Sequence, residues 1–154
     1  MKRFLYIFAV LLIGFSATAQ EQEQVSLVPY VATGISIPNT GDFEQDSYIS
    51  AEVGAMYENI AFAAVFGRNN LSGILNSNES FENYWYEAKV ATYFPLGYVS
   101  GYILGGVGSY VENGNVFLEY GGGVSKEFGR VSLFVQVSNW DGVTYLTPGV
   151  GFGL

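Results

Sequence analysis

Residues Val131-Ser132-Leu133-Phe134-Val135-Gln136-Val137-Ser138 alternate strictly, with Val131, Leu133, Val135 and Val137 on one side and Ser132, Phe134, Gln136 and Ser138 on the other. A period of two is the signature of a strand with unlike faces, and no helical period fits this stretch. The same alternation recurs along the chain. It puts Leu27, Val31, Ile35 and Ile37 opposite Tyr30, Ala32, Gly34 and Ser36, and Ile49, Ala51, Val53, Ala55 and Tyr57 opposite Tyr48, Ser50, Glu52, Gly54 and Met56. It sets Tyr84, Tyr86, Ala88, Val90 and Phe94 against Trp85, Glu87, Lys89, Ala91 and Tyr93, and Val116, Leu118, Tyr120 and Val124 against Phe117, Glu119, Gly121, Gly123 and Ser125. Eight strands are expected, at about 25–37, 47–58, 60–68, 84–94, 98–110, 116–126, 131–139 and 145–154. The fifth supports two phases, because Val99, Ile103 and Val107 compete with Tyr102 and Leu104.

The connections alternate as well. Glu58-Asn59, Pro95-Leu96-Gly97 and Glu127-Phe128-Gly129-Arg130 read as tight turns, whereas Pro38 to Asp46, Asn69 to Asn83, Val111 to Asn115 and Trp140 to Thr144 read as longer loops. An all-β, eight-stranded antiparallel up-and-down transmembrane β-barrel has this asymmetry, with short turns at one end and longer loops at the other. Closing the sheet also removes its exposed edges.

Composition sharpens the reading. The 154 residues are 49% hydrophobic and only 13% charged, about half the usual charged fraction. Mid-strand, the polar face holds Glu52, Glu87, Lys89 and Glu119 as its ionisable groups. A soluble surface carries roughly 25–35% charged residues, so the polar face suits a narrow lumen and the apolar face suits lipid. Lys89 is expected to pair with one or more of the glutamates in a structural charge network, since an unpaired buried charge is costly. Phe66, Tyr84 and Tyr86 fall near the long-loop end and Tyr57, Phe94 and Phe152 near the short-turn end, as two interfacial girdles would. Lys126 shares the apolar phase beside a turn, where its stem can reach the interface.

Residues 1–20, MKRFLYIFAVLLIGFSATAQ, combine Lys2 and Arg3, a twelve-residue apolar run and the cleavage signal Ala17-Thr18-Ala19. Twelve helical residues rise about 18 Å, short of a roughly 30 Å hydrocarbon core, so residues 1–19 read as a cleaved signal peptide and 20–154 as a single barrel domain. Four cations then face the 14 acids, a net charge of −10 that argues against nucleic-acid partners.

Taken together, signal peptide, eight segments, unequal loops and the final strand YLTPGVGFGL resemble the small eight-stranded outer-membrane β-barrel proteins of Gram-negative bacteria. That strand places Leu146, Pro148, Val150, Phe152 and Leu154 on one face, similar to the family's C-terminal assembly signal, although the last residue is Leu where the family usually has an aromatic. The resemblance implies an outer-membrane location, contact with outer-membrane lipid and insertion by the outer-membrane assembly machinery. It implies no particular activity, and a surface ligand is not specified. Enzymes of this broad class use histidine, and the chain has neither histidine nor cysteine. No catalytic residue, cofactor site or metal site is therefore assigned.

The glycine clusters at 105–108, 121–123 and 149–153 complete no phosphate-binding motif; they are expected to make room for bulky neighbours in the lumen. An alternative is that these gaps, facing Tyr30, Phe117, Phe134 and Trp140, leave a small apolar pocket. Asp42, Glu44 and Asp46 alternate like the start of a calcium loop, but Ser47 and Val53 stand where glycine and glutamate are needed. They remain loop acids suited to weak cation contact. The leading expectation is a non-enzymatic outer-membrane barrel with a structural or surface-interaction role through its acidic loops. The other is a soluble secreted or periplasmic lipocalin-like barrel that binds a small apolar ligand. N-terminal sequencing of the exported protein is expected to begin at Gln20, and retention of Met1 would overturn the signal-peptide reading.

Overall fold

A computed structural model describes residues 27–39, 47–69 and 84–154, with only the backbone at Asn69. The expected signal peptide lies outside these residues. Eight strands run in chain order: β1 Leu27–Pro38, β2 Tyr48–Tyr57, β3 Ile60–Asn69, β4 Tyr84–Pro95, β5 Ser100–Tyr110, β6 Val116–Phe128, β7 Val131–Trp140 and β8 Val143–Gly153. Each pairs antiparallel with its sequence neighbours, and β1 pairs with β8, so the sheet closes into an up-and-down barrel.

Stepping from Val28 to each directly paired residue passes Met56, Ala61, Ala91, Leu104, Gly121, Ser138 and Tyr145. The path returns to β1 at Pro38, ten residues further along. For eight strands that stagger sets a tilt of roughly 40° and an interior just wide enough to be filled by side chains. The β1–β8 ladder is interrupted between Gly34↔Gly149 and Ile37↔Leu146, where Pro148 has no N–H to donate. A Ser36–Thr147 hydroxyl contact of 2.6 Å joins the two strands there.

The outward face is apolar around the barrel. Val53, Phe62, Val90, Ile103, Leu118, Val135 and Leu146 all face out. Among the described strand residues, the charges in this outward phase are Arg68, at the loop end, and Lys126, at the turn end. Arg68 lies over the Tyr84 ring at 5.3 Å and Lys126 over Phe128 at 5.4 Å. The fifth strand resolves with Ile103 and Val107 outward and Tyr102 and Leu104 buried. Its inward phase continues into Gly106 and Gly108, over which Glu87 and the Phe117 ring lie.

Two connections depart from the sequence reading. Trp140 to Thr144 is not a long loop: β7 and β8 are joined by Asp141-Gly142 alone, with φ values of 46° and 86°. Asp-Gly tolerates two consecutive positive φ angles, which a two-residue hairpin turn requires. β6 also runs on to Phe128, which leaves Gly129-Arg130 as the whole β6–β7 turn.

Five lumen aromatics share one steric arrangement. Tyr30, Trp85, Tyr102, Phe117 and Phe134 are each paired directly across strands with a glycine: Gly54, Gly67, Gly123, Gly108 and Gly149 respectively. A Cβ at any of those glycines would overlap the facing ring. Gly67→Val is therefore expected to destabilise the barrel by about 1–3 kcal/mol through overpacking. Adding Trp85→Leu should recover part of that loss, read as the urea midpoint of unfolding; strictly additive losses would contradict the pairing.

Candidate functional site

Closure of the barrel creates a lumen, and its side chains stack in three layers. At the loop end, Tyr48, Trp85, Phe117 and Trp140 are buried together, with Tyr110 and Tyr145 packed against them. Trp140 stacks on Tyr48 at 4.6 Å and on Phe117 at 4.7 Å, and Trp85 meets Trp140 edge-on at 4.5 Å. Each such contact adds roughly 0.5–1.5 kcal/mol beyond burial. The layer forms because each contributing strand places its bulky inward residue near its loop end. Together these rings plug the lumen.

The middle layer is polar. Glu52 comes from β2, Glu87 and Lys89 from β4, Glu119 from β6 and Gln136 from β7. Lys89 reaches across β3 and forms an ion pair with Glu52. It crosses at Ala63, its direct partner on β3, which is itself paired with Gly54 on β2. Two small residues thus leave the path open. The Tyr30 hydroxyl donates to Glu52 at 2.6 Å, so both carboxylate oxygens are used. Glu87 leans the other way, its carboxyl lying over Gly106 and facing Glu119. Gln136 donates to Glu119 at 3.0 Å and to Ser138 at 3.3 Å. Glu87 is 3% exposed, and among the described residues neither of its oxygens has a hydrogen-bond partner.

The structure thus brings Glu52 and Lys89 together, sets Glu87 against Glu119 and adds Tyr30 and Gln136 to the group. Tyr30 and Gln136 share the inward phase with the charges, but their engagement depends on cross-strand register. The loop acids Asp42, Glu44 and Asp46 lie outside the described residues. Among the described residues, no group of three or more acids is arranged to hold a metal ion.

Below the polar layer, toward the turn end, lies a cavity of about 190 Å³. Tyr30 and Phe134 border it, whereas Phe117 and Trp140 belong to the plug. The apolar pocket expected before all four is therefore corrected to a cavity at one end. Its lining includes Glu52, Lys89, Glu127 and Arg130, so it is not purely apolar. The volume persists because Ala32, Ala91 and Gly151 contribute little bulk to its wall.

No protein-family model matches the chain, and no curated protein matches it. Among solved structures it is similar to Neisserial surface protein A at 16% identity, covering 83% of this chain and 96% of that one, with a TM-score of 0.46. It is also similar to the KdgM porin, solved in complex with disordered oligogalacturonate. That likeness has 13% identity, covers 84% of this chain and 99% of the other, and has a TM-score of 0.25. The fold assignment rests on the closed ladder of strand pairs, not on these likenesses.

Lys89→Met is expected to cost roughly 3–5 kcal/mol, because it strands Glu52 without its cation. Glu87→Gln should instead stabilise the barrel by about 1 kcal/mol or less, since an amide keeps a donor toward Glu119 and removes a buried ionisable group that has no cation of its own. Urea unfolding of both variants, followed by tryptophan fluorescence, reads the two opposite signs.

Proposed function

We propose that this chain is a non-enzymatic integral outer-membrane protein of a Gram-negative bacterium. One observation carries the reading: among the described residues, the outward strand face has no charged residue between the levels of Arg68 and Lys126, while the strand charges at mid-height point into the lumen. Soluble monomers rarely expose apolar patches beyond a few hundred Å², and this belt continues around the barrel. A soluble lipocalin-like barrel would turn its apolar residues inward and its charges outward; the faces here are reversed. The aromatic plug also speaks against a conducting pore.

Outer-membrane lipid would meet the belt. Phe66, Tyr84 and Tyr86 would sit at one interface, with Tyr57, Phe94 and Phe152 at the other. The final strand, with Leu146, Val150, Phe152 and Leu154 facing out, would be the segment read by the assembly machinery during insertion. Topology puts both barrel termini at the short-turn end, which would be periplasmic. The connections at 39–47 and 70–83 would then project outside the cell, carrying Asp42, Glu44, Asp46, Glu79 and Glu82. Their role would be structural or in surface interaction.

Cell fractionation tests the proposal. The protein should remain in the membrane pellet after a high-salt wash, dissolve only with detergent and migrate differently on gels before and after boiling. Recovery of folded protein from the soluble periplasm would overturn it.

A further inference from the structure

The turn-end cavity has the chemistry of a binding site. Its mouth is formed by residues of the β6–β7 turn and the last strand, including Gly129, Arg130 and Gly153, so it opens at the turn end. Its inner end is the polar layer, and the aromatic plug lies beyond. Four aromatic residues of the inward phase line it, Tyr30, Tyr93, Tyr102 and Phe134, and the outward-phase Phe152 borders its mouth. Tyr93 and Tyr102 form a continuous wall, their rings 5.1 Å apart and tilted by 34°. Tyr30 is fixed by its hydrogen bond to Glu52. The wall is therefore built in advance of any ligand, and little ordering cost falls on binding.

Charge decides what such a wall accepts. The two cations that border the cavity, Lys89 and Arg130, are matched in number by two acids that also border it, Glu52 and Glu127. Lys89 is committed to Glu52. Behind this floor lie Glu87 and Glu119, both buried and facing each other, with no further cation in the polar layer among the described residues; two carboxyls in contact do not both ionise, so the pair contributes about one negative charge. The field inside is thus net negative, and a cation that reaches a ring face meets the negative side of its quadrupole. An anion is repelled. A metal cation requires several oxygen ligands in exchange for its hydration shell, and ring faces do not supply them. A weakly hydrated organic cation loses little on leaving water and gains cation–π attraction at each face. Size agrees, since an apolar cavity of roughly 150 Å³ accommodates a six-carbon ring and a trimethylammonium group with a short tail is comparable.

We propose that the turn-end cavity binds a small organic cation of the quaternary ammonium class, held against Tyr30, Tyr93, Tyr102 and Phe134 on the turn side of the Glu52–Lys89 pair. The plug makes the site a dead end, so the cation is bound and released at the same mouth.

The test is an amide-resolved NMR titration of the folded protein in a maltoside detergent, which lacks the choline headgroup that would compete. The probes are choline, its neutral carbon isostere 3,3-dimethylbutan-1-ol, and the anion 3,3-dimethylbutanoate. Choline should produce saturable shifts at Ala91, Leu104 and Gly151 and bind roughly tenfold more tightly than the neutral isostere. Tyr102→Leu should weaken choline binding by roughly fivefold or more, whereas Tyr98→Leu, at an exposed turn position outside the cavity, should leave it unchanged. The comparison of the three probes on the unaltered protein stands even if Tyr102→Leu fails to fold. Equal binding of choline and the alcohol, preference for the carboxylate, or no saturable shift with choline would each overturn the proposal. None of these outcomes depends on where in the cell the protein resides.

Discussion

A barrel of eight strands staggered by ten residues encloses very little space, and the rest of this structure follows from how that space is shared. A large inward side chain needs space on at least one flank: Trp85 has Tyr110 on one side and Gly67 on the other, and Tyr102 has Tyr93 on one side and Gly123 on the other. The chain meets this constraint by giving five large lumen aromatics a glycine as direct partner, so each ring lies over its neighbour's backbone. The glycines weaken the strands locally, but the rings that cover them restore buried area. This same economy creates the polar layer: Lys89 crosses to Glu52 over Ala63, and Glu87 lies over Gly106.

Charge is distributed by a second constraint, the solvent on each face. Among the described residues, the outward strand face carries charge only at its rims, whereas the inward face holds three carboxyls and one ammonium at mid-height. Burying ionisable groups in the lumen costs stability, and the ion pair, the Tyr30 donor and the Gln136 amide offset only part of that cost. Glu87 is left without a donor. A chain selected for stability alone would place an apolar or amide side chain there.

Most of the fold was legible in the sequence because a period of two survives any uncertainty in register. Every strand was visible to within a few residues, since Val131 to Val137 and its counterparts alternate without interruption. β5 was not fully legible: Tyr102 and Leu104 are as apolar as Ile103 and Val107, so hydrophobicity could not choose a phase. Register chooses it, through the space that Gly106 and Gly108 leave for Glu87 and Phe117. The β7–β8 connection is shorter than the sequence suggests, because Trp140, Val143 and Thr144 read as loop together with Asp141-Gly142 but pair in the strands. Asp141-Gly142 alone was the turn, and Asn139 accepts a hydrogen bond from the Gly142 amide at 3.2 Å. The candidate site was legible only as a list of inward charges. Which glutamate Lys89 takes, and where the cavity lies, depend on cross-strand neighbours 22 to 37 residues apart in the chain.

The aromatic plug carries a consequence for how this chain can be watched as it folds. Its two tryptophans, Trp85 and Trp140, belong to β4 and β7, which are not neighbours in the sheet. Neither a hairpin nor a partly assembled sheet brings them within reach; they meet at 4.5 Å only across a closed lumen. Perpendicular indoles at that distance couple their excited states. The near-ultraviolet circular dichroism of the protein therefore contains an optical signal for ring closure itself, separable from the far-ultraviolet signal of strands that have formed but not yet joined.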